Sequence, residues 1–518
     1  MVQFAVQNSP GRHLWFYWML SCILILAIFL PQLSLWPLIG QDEVQIMEFG
    51  RVFLHPATDW SMNWQPADST AHLWPSWLGV TLQDLAFRSS AETICGSRLS
   101  SLMGALLAGT MVLGWLTARR TPWIVGIVLA ISFVLDPIFN ESYRRGRIDG
   151  WAFAVSIAVC WLLRVAGTRV RDDRDIRPFV FIAGLLTGAS PFVWMTTIAL
   201  LPLVLMEFAQ LLRVLWNTCG SQRVSRVRTV ILWFIGGGLL SAGVLLAPLL
   251  VNLDHFIASL DVGVDVQTVA SVIQRNIFDM YLLYDPMIIL AVIASLLIRR
   301  DTGLLIALFA AVIMMFQTMI YPMRILYLLP YFVAMFAGAS TTIHGDPGRP
   351  RRKVLYYCAL GLLLSFSFMT SLIHRPLIAN HQREARSPDQ IRPALEQVVG
   401  PGGHRVLLEE WDMYPAARSL GWRIFKVFGR YPEDRAEAQA FLGSMDYVIK
   451  RNTFEFLVRS DEELKMAGFS LIATVTFTKP KGDEIRLGPL RFRAPDTYYR
   501  DVLIYGKSAN EGSVPSLE

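Results

Sequence analysis

The sequence predicts an all-α polytopic membrane domain followed by a soluble C-terminal α/β domain. Three observations carry that expectation. Of the 518 residues, 53% are hydrophobic and only 17% charged, with a mean hydropathy of +0.42. Soluble chains carry about 25% charged residues, and one globular core cannot hide this much apolar side chain. The apolar residues also fall in runs near the length a bilayer demands, about 20 residues each. The last quarter of the chain instead has short β-branched runs between polar segments.

Taken in order, about eleven runs read as transmembrane helices: 14–38, 98–117, 121–139, 150–166, 178–190, 191–213, 228–252, 284–299, 303–320, 323–343 and 353–373. The first is too long for the apolar part of a cleavable signal and lacks a small-residue cleavage site, so it is expected to be retained. The runs flanking Ser190-Pro191 are one segment broken at the proline or two short helices. With the N-terminus and Arg12 in the cytoplasm, Arg119-Arg120, 164–177, 213–228, Arg299-Arg300 and 349–353 form basic cytoplasmic loops. Such loops follow the positive-inside rule. The same bias favours two spans at Pro191, because a single one would invert everything downstream.

The expected domains are a membrane region over 1–373 with outer loops at 40–97 and 252–285, a soluble extracytoplasmic domain over 374–508, and a flexible tail over 509–518. Within the first outer loop, Trp74 to Phe87 has helical apolar spacing and four nearby tryptophans, which suits a helix lying in the interface. In the soluble domain, Arg405–Leu408, Tyr447–Ile449, Leu471–Phe477 and Asp501–Tyr505 read as strands, and Arg435–Leu442 as a helix.

Composition also excludes some functions. The net charge is +6, but the basic residues sit in short clusters between apolar runs and not on one stripe, which argues against a nucleic-acid partner. The five cysteines form no CxxC pair and no Cys/His cluster, so neither a disulfide framework nor a zinc site is expected. Charge within the spans is nearly absent, with Asp136 and Glu207 read as lying near helix ends; this disfavours an ion-coupled transporter.

The unusual charges gather at the outer ends of helices. They are Asp42-Glu43 just after the first span, Arg144, Arg145, Arg147 and Asp149 just before the fourth, and Arg324 with Tyr327 at the start of the tenth. Arginine suits a lipid phosphate because its planar fork makes paired charge-assisted hydrogen bonds. A carboxylate at the bilayer boundary suits a general base toward a hydroxyl. A reaction that needs both is sugar transfer from a lipid-phosphate donor to a hydroxyl acceptor. The plainer alternative stays open: charges beside a helix also simply end a span, and the arginines serve equally as headgroup anchors. No dedicated metal-ligand set is apparent, although the carboxylates suit a divalent cation.

These segments resemble the C-type glycosyltransferases that use lipid-phosphate sugars, in particular the bacterial branch of protein-mannosyltransferase-like and aminoarabinose-transferase-like proteins. Asp42-Glu43-Val44-Gln45-Ile46-Met47-Glu48-Phe49-Gly50-Arg51 is similar to that family's opening after the first span. Asp136-Pro137-Ile138-Phe139 through Arg147-Ile148-Asp149-Gly150 is similar to its second outer loop, with Ile148 replacing the usual proline. Arg324-Ile325-Leu326-Tyr327-Leu328-Leu329-Pro330 is similar to its late Arg-Tyr-Leu-Leu-Pro element, with one residue inserted. The resemblance covers the membrane region and implies an inverting transferase with a polyprenyl-phosphate sugar donor and a glycan, lipid or protein acceptor. It implies Asp42 as base, Glu43 and Asp149 as further site carboxylates, and Arg144, Arg147, Arg324 and Tyr327 as phosphate or lipid contacts. It also implies a bacterial inner membrane with the soluble domain in the periplasm. Two other classes remain: a transporter or flippase for lipid-linked glycans, which needs a polar path through the helices, and a non-catalytic assembly protein, which would leave Asp42 and Asp149 far apart.

Overall fold

The computed structural model describes residues 11–65, 69–260, 285–316, 322–345, 350–381, 383–427, 434–451, 460–479, 484–487, 490–493 and 498–507. The expected tail over 509–518 and most of the outer loop at 252–285 lie outside the described residues.

The chain opens with α1 (Gly11–Phe29), then α2 (Gln41–Leu54), a small hairpin of β1 (Trp64–Gln65) and β2 (Thr70–Ala71), and α3 (Trp77–Ser89). Next come α4 (Ile94–Ala118), α5 (Trp123–Val134), α6 (Pro137–Arg144), α7 (Asp149–Arg171), α8 (Arg177–Val193), α9 (Leu201–Thr218), α10 (Arg223–Val251) and α11 (Leu253–Leu260). Then follow α12 (Pro286–Ile298), α13 (Thr302–Phe316), α14 (Leu329–Gly345) and α15 (Pro350–Phe368).

Each of the eleven apolar runs contains a helix, and this is a multi-pass membrane protein. Among the described residues, however, only seven helices are long and apolar enough to cross a bilayer, or eight if α5 and α6 make one bent span. That pair bends by 50°. Pro137 has no N–H to continue the ladder, and Asp136 instead caps α6, accepting from the backbone N–H groups of Ile138 and Phe139 at 3.0 and 2.9 Å. At Pro191 the chain makes two helices. The proline lies inside α8, and the break follows at extended Trp194 and a 3-10 turn over Met195–Leu200. Glu207 corrects another expectation: it sits midway along the span Met195–Thr218, not near its end. It is tolerated there because Arg119, at 2.6 Å, and Arg164 neutralise it.

Helices α4 and α7 pack along their length. A Cβ on Gly150 would stand 2.5 Å from the Ala105 backbone nitrogen, so the first turn of α7 lies directly on α4. Helix α3 is amphipathic, as its spacing predicts. Val80, Asp84 and Phe87 are buried, while Leu78, Leu82 and Leu85 are exposed.

The soluble domain holds α16 (Ile391–Val398), β3 (Arg405–Leu408), α17 (Tyr414–Ser419), β4 (Arg423–Phe425), α18 (Arg435–Gly443), β5 (Tyr447–Arg451), α19 (Asp461–Met466), β6 (Phe469–Val475), a β7–β8 hairpin (Glu484–Leu487, Leu490–Arg493) and β9 (Val502–Lys507). Five strands form one sheet in the order β4-β3-β5-β9-β6. The β3 strand runs parallel to β4 and β5, and β9 antiparallel to β5 and β6. Four of these strands and α18 were legible in the sequence; β4 was not.

The segment between α2 and α3 extends this sheet. The Lys426 N–H donates to the Ser61 carbonyl at 3.1 Å, and the Trp64 N–H to the Lys426 carbonyl at 3.0 Å. Ile39, Val44 and Met47 join one apolar cluster with Leu408, Tyr414, Ile449 and Ile504. The opposite flank of α2, with Ile46 and Phe49, packs instead on Ile148 and Val193. Helix α2 is thus shared between the membrane region and the soluble domain.

Candidate active site

Successive helical residues point about 100° apart, so the acidic pair that opens α2 splits in function. Asp42 keeps 28% of its side chain exposed. Glu43 is fully buried and takes both nitrogens of a fork from Arg98, Nε and Nη2 each at 2.8 Å. Arg98 is itself fully buried, and its Nη1 donates to the Leu33 carbonyl at 2.6 Å. This pair ties α2 to α4 and to the end of the first span. The sequence reading missed Arg98. Its signal was a charged residue at the head of an otherwise apolar run.

The corner between α6 and α7 lies against α2. Gly146 holds a φ of +63°, and a Cβ there would stand 2.6 Å from Glu43 Oε1. One residue on, Arg147 is almost fully buried. Its Nε donates to Asp149 Oδ2 at 2.8 Å, and its Nη1 is paired with Asp42. Burial alone would lower the pKa of this guanidinium. The carboxylates of Asp149 and Asp42 outweigh that and raise it. Asp149 is fully buried at the first turn of α7, where the helix dipole favours a carboxylate. It also accepts from Ser142 Oγ at 2.5 Å and from the Tyr327 hydroxyl at 2.8 Å.

The three charge-bearing segments therefore meet: Asp42 from the first, Arg147 and Asp149 from the second, Tyr327 from the third. Tyr327 is buried and fixes a carboxylate. Arg324 lies on the 3-10 turn Pro322–Leu328, and its side chain lies outside the described residues.

Arg144 stands apart. It is 1% exposed, and among the described residues none of its three guanidinium nitrogens has a hydrogen-bond partner. Its guanidinium carbon lies 5.5 Å from the centre of the Phe29 ring. The nearby carboxylate, Glu141, is taken by Arg145 at 2.7 Å and Arg375 at 2.9 Å. Arg375 also donates to the side-chain oxygen of Asn140 and the carbonyl of Pro137. A buried cation without an anion is costly, and a phosphate would relieve it.

Among the described residues, no group of three or more His, Cys, Asp or Glu side chains is placed to hold a metal. Between Asp42 and Asp149 the cationic charge is that of Arg147. Two cavities lie away from Asp42. One is lined by Ser132, Asp136, Ile288 and Phe332, the other by Arg299, Asp301 and Gly338.

No family sequence model matches the chain, and no curated protein matches it by sequence. Solved structures do match in fold. ArnT from Cupriavidus metallidurans in the apo state superposes with a TM-score of 0.58 at 12% identity, covering 94% of this chain and 98% of that one. The same protein bound to undecaprenyl phosphate gives 0.59 at 11% identity, covering 97% and 99%. The mycobacterial arabinofuranosyltransferase AftD gives 0.51 at 14% identity, covering 97% of this chain and 40% of that one. The chain has the C-type glycosyltransferase fold, with a soluble α/β domain at its C-terminus.

Proposed function

We propose that this protein is a membrane glycosyltransferase that moves a sugar from a polyprenyl-phosphate donor to a hydroxyl of a glycan, lipid or protein acceptor. The observation that carries the reading is the contrast among three neighbouring carboxylates. Glu43 and Asp149 are fully buried and fully engaged, while Asp42 is partly exposed and held by one side chain. Asp42 is then the carboxylate with an open side from which to take a proton. The fold likeness to an ArnT structure that holds undecaprenyl phosphate supports the donor class.

In this reading the acceptor oxygen attacks the anomeric carbon while its proton passes to Asp42. The bond from that carbon to the phosphate oxygen breaks on the opposite face. The electron pair leaves with the polyprenyl phosphate, so a single displacement inverts the anomeric centre. In this reading the buried Arg144 guanidinium receives the departing charge, with Arg147 and Arg324 as further phosphate contacts. Arg147, Asp149, Ser142 and Tyr327 keep the neighbourhood of Asp42 fixed. The loop charges support a site and a soluble domain on the side away from the cytoplasm, and the resemblance to bacterial lipid-phosphate-sugar transferases supports an inner membrane with that side periplasmic.

The test uses the purified protein with a lipid extract carrying radiolabelled polyprenyl-phosphate sugars, supplied with membrane acceptors. Label should leave the carrier and appear in the acceptor fraction. Label that stays on the carrier but crosses the bilayer in proteoliposomes would replace this reading with that of a flippase.

A further inference from the structure

The soluble domain makes its polar contact with α2, the helix that carries Asp42, at one buried carboxylate. Six residues after Asp42, and about 9 Å further along the axis, Glu48 is fully buried. It accepts from Arg51 Nε and Nη2 at 2.8 and 2.7 Å, from Ser61 Oγ at 3.0 Å and from the Met62 N–H at 3.1 Å. These partners are local. The remaining two lie more than 360 residues away in α17: the Tyr414 hydroxyl, and Arg418 Nη1 at 3.3 Å. Arg418 also donates to the Tyr414 oxygen at 2.7 Å, and its Nη2 reaches Glu92 at 3.0 Å.

Glu92 ends the turn just before α4, the helix whose Arg98 grips Glu43. Arg418 therefore holds both helices whose contact fixes the opening of α2. Tyr414 packs its ring 5.9 Å from that of Phe87 in α3. Apolar packing runs in parallel, since Val44 and Met47 are buried in the soluble domain's own core. A displacement of α17 cannot leave α2 in place.

We infer that Tyr414 and Arg418 are positioning residues: through Glu48 and Glu92, the soluble domain sets where α2 places Asp42, and so sets turnover. This rests on the reading of Asp42 as the base. It gives the soluble domain a part in the reaction itself, apart from any hold on the acceptor.

The test compares Tyr414→Phe, Arg418→Met and Arg418→Lys with wild type as full-length protein in lipid nanodiscs. Three readouts are needed: amide hydrogen exchange, binding of undecaprenyl phosphate, and transfer from the labelled lipid extract. Tyr414→Phe and Arg418→Met should speed exchange over residues 41–54 by about tenfold while strands 405–408 and 447–451 stay protected. Turnover should fall by about tenfold, with undecaprenyl phosphate affinity within about twofold of wild type. Arg418→Lys, which keeps the charge, should recover most of both losses. Unchanged exchange over 41–54 overturns the inference, and so does a loss confined to KM. Absence of transfer by wild type would defeat the transferase reading instead, and the exchange data would still decide whether α17 holds α2.

Discussion

Arg147 bridges two carboxylates that lie over 100 residues apart in sequence: its Nε stands 2.8 Å from Asp149, and its Nη1 is paired with Asp42. The two partners differ in what remains to them. Asp149 is buried and accepts two further hydrogen bonds, from Ser142 and Tyr327, so its oxygens are spoken for. Asp42 is open on one side. In the proposed reading, Asp149 has an anchoring part and proton transfer falls to Asp42.

The unpaired Arg144 gives a prediction with opposite signs for stability and binding. Arg144→Met removes a buried cation that has no partner, so stability should hold or rise, by about 1 kcal/mol. Undecaprenyl phosphate affinity should fall by about 10–100-fold, because charge-assisted hydrogen bonds to the phosphate are lost. Thermal melts in detergent and equilibrium lipid binding on the same preparations check both signs.

Glu43 and Arg98 should behave as a structural pair. Glu43→Gln alone leaves a buried guanidinium without its counter-charge and should cost about 3–5 kcal/mol. The double variant Glu43→Leu with Arg98→Met removes both charges and should recover most of that loss. The measurement is a double-mutant cycle on thermal unfolding.

The Glu48 cluster predicts a pH dependence. Burial works against the Glu48 charge, but Arg51, Arg418 and the Tyr414 hydroxyl outweigh it and hold its pKa at about 2, below the ordinary 4.5. A depressed carboxyl pKa means the unfolded chain binds the proton more readily. The stability contributed is therefore fully present above pH 4.5 and is lost as pH falls toward 2. The stability gap between wild type and Glu48→Gln should be widest at neutral pH and shrink across that window. A pH series of denaturation midpoints reads it directly.

What the sequence revealed followed from interactions close along the chain. Hydrophobic runs need no distant partner to be seen, so every expected helix contains a real one, and four strands stood out by their β-branched residues. The lengths of the spans were less legible. Asp136-Pro137 shortens α5, and the break after Pro191 falls three residues late, at Trp194. The three-residue β4 strand is too short to carry a pattern, and it exists because β3 and the Ser61–Trp64 segment flank it. In the site, Asp42, Arg147 and Asp149 were named from their motifs. The different fates of Asp42 and Glu43 were not, because they depend on Arg98, 55 residues away from Glu43. Tyr327 was expected to contact phosphate or lipid; its bond to Asp149 was not legible. Tyr414 and Arg418 had no motif, since their partner Glu48 lies on the far side of the chain's whole membrane region.

The most direct test of the central claim is sugar transfer from the labelled polyprenyl-phosphate extract by wild type and by Asp42→Asn at matched protein levels. The substitution keeps the side chain's shape and removes its charge, and so both its basicity and its ion pair with Arg147. Loss of a general base should lower transfer by about 10²–10⁴-fold, with membrane insertion unchanged and undecaprenyl phosphate binding not weakened. Transfer by Asp42→Asn at the wild-type rate would contradict the account.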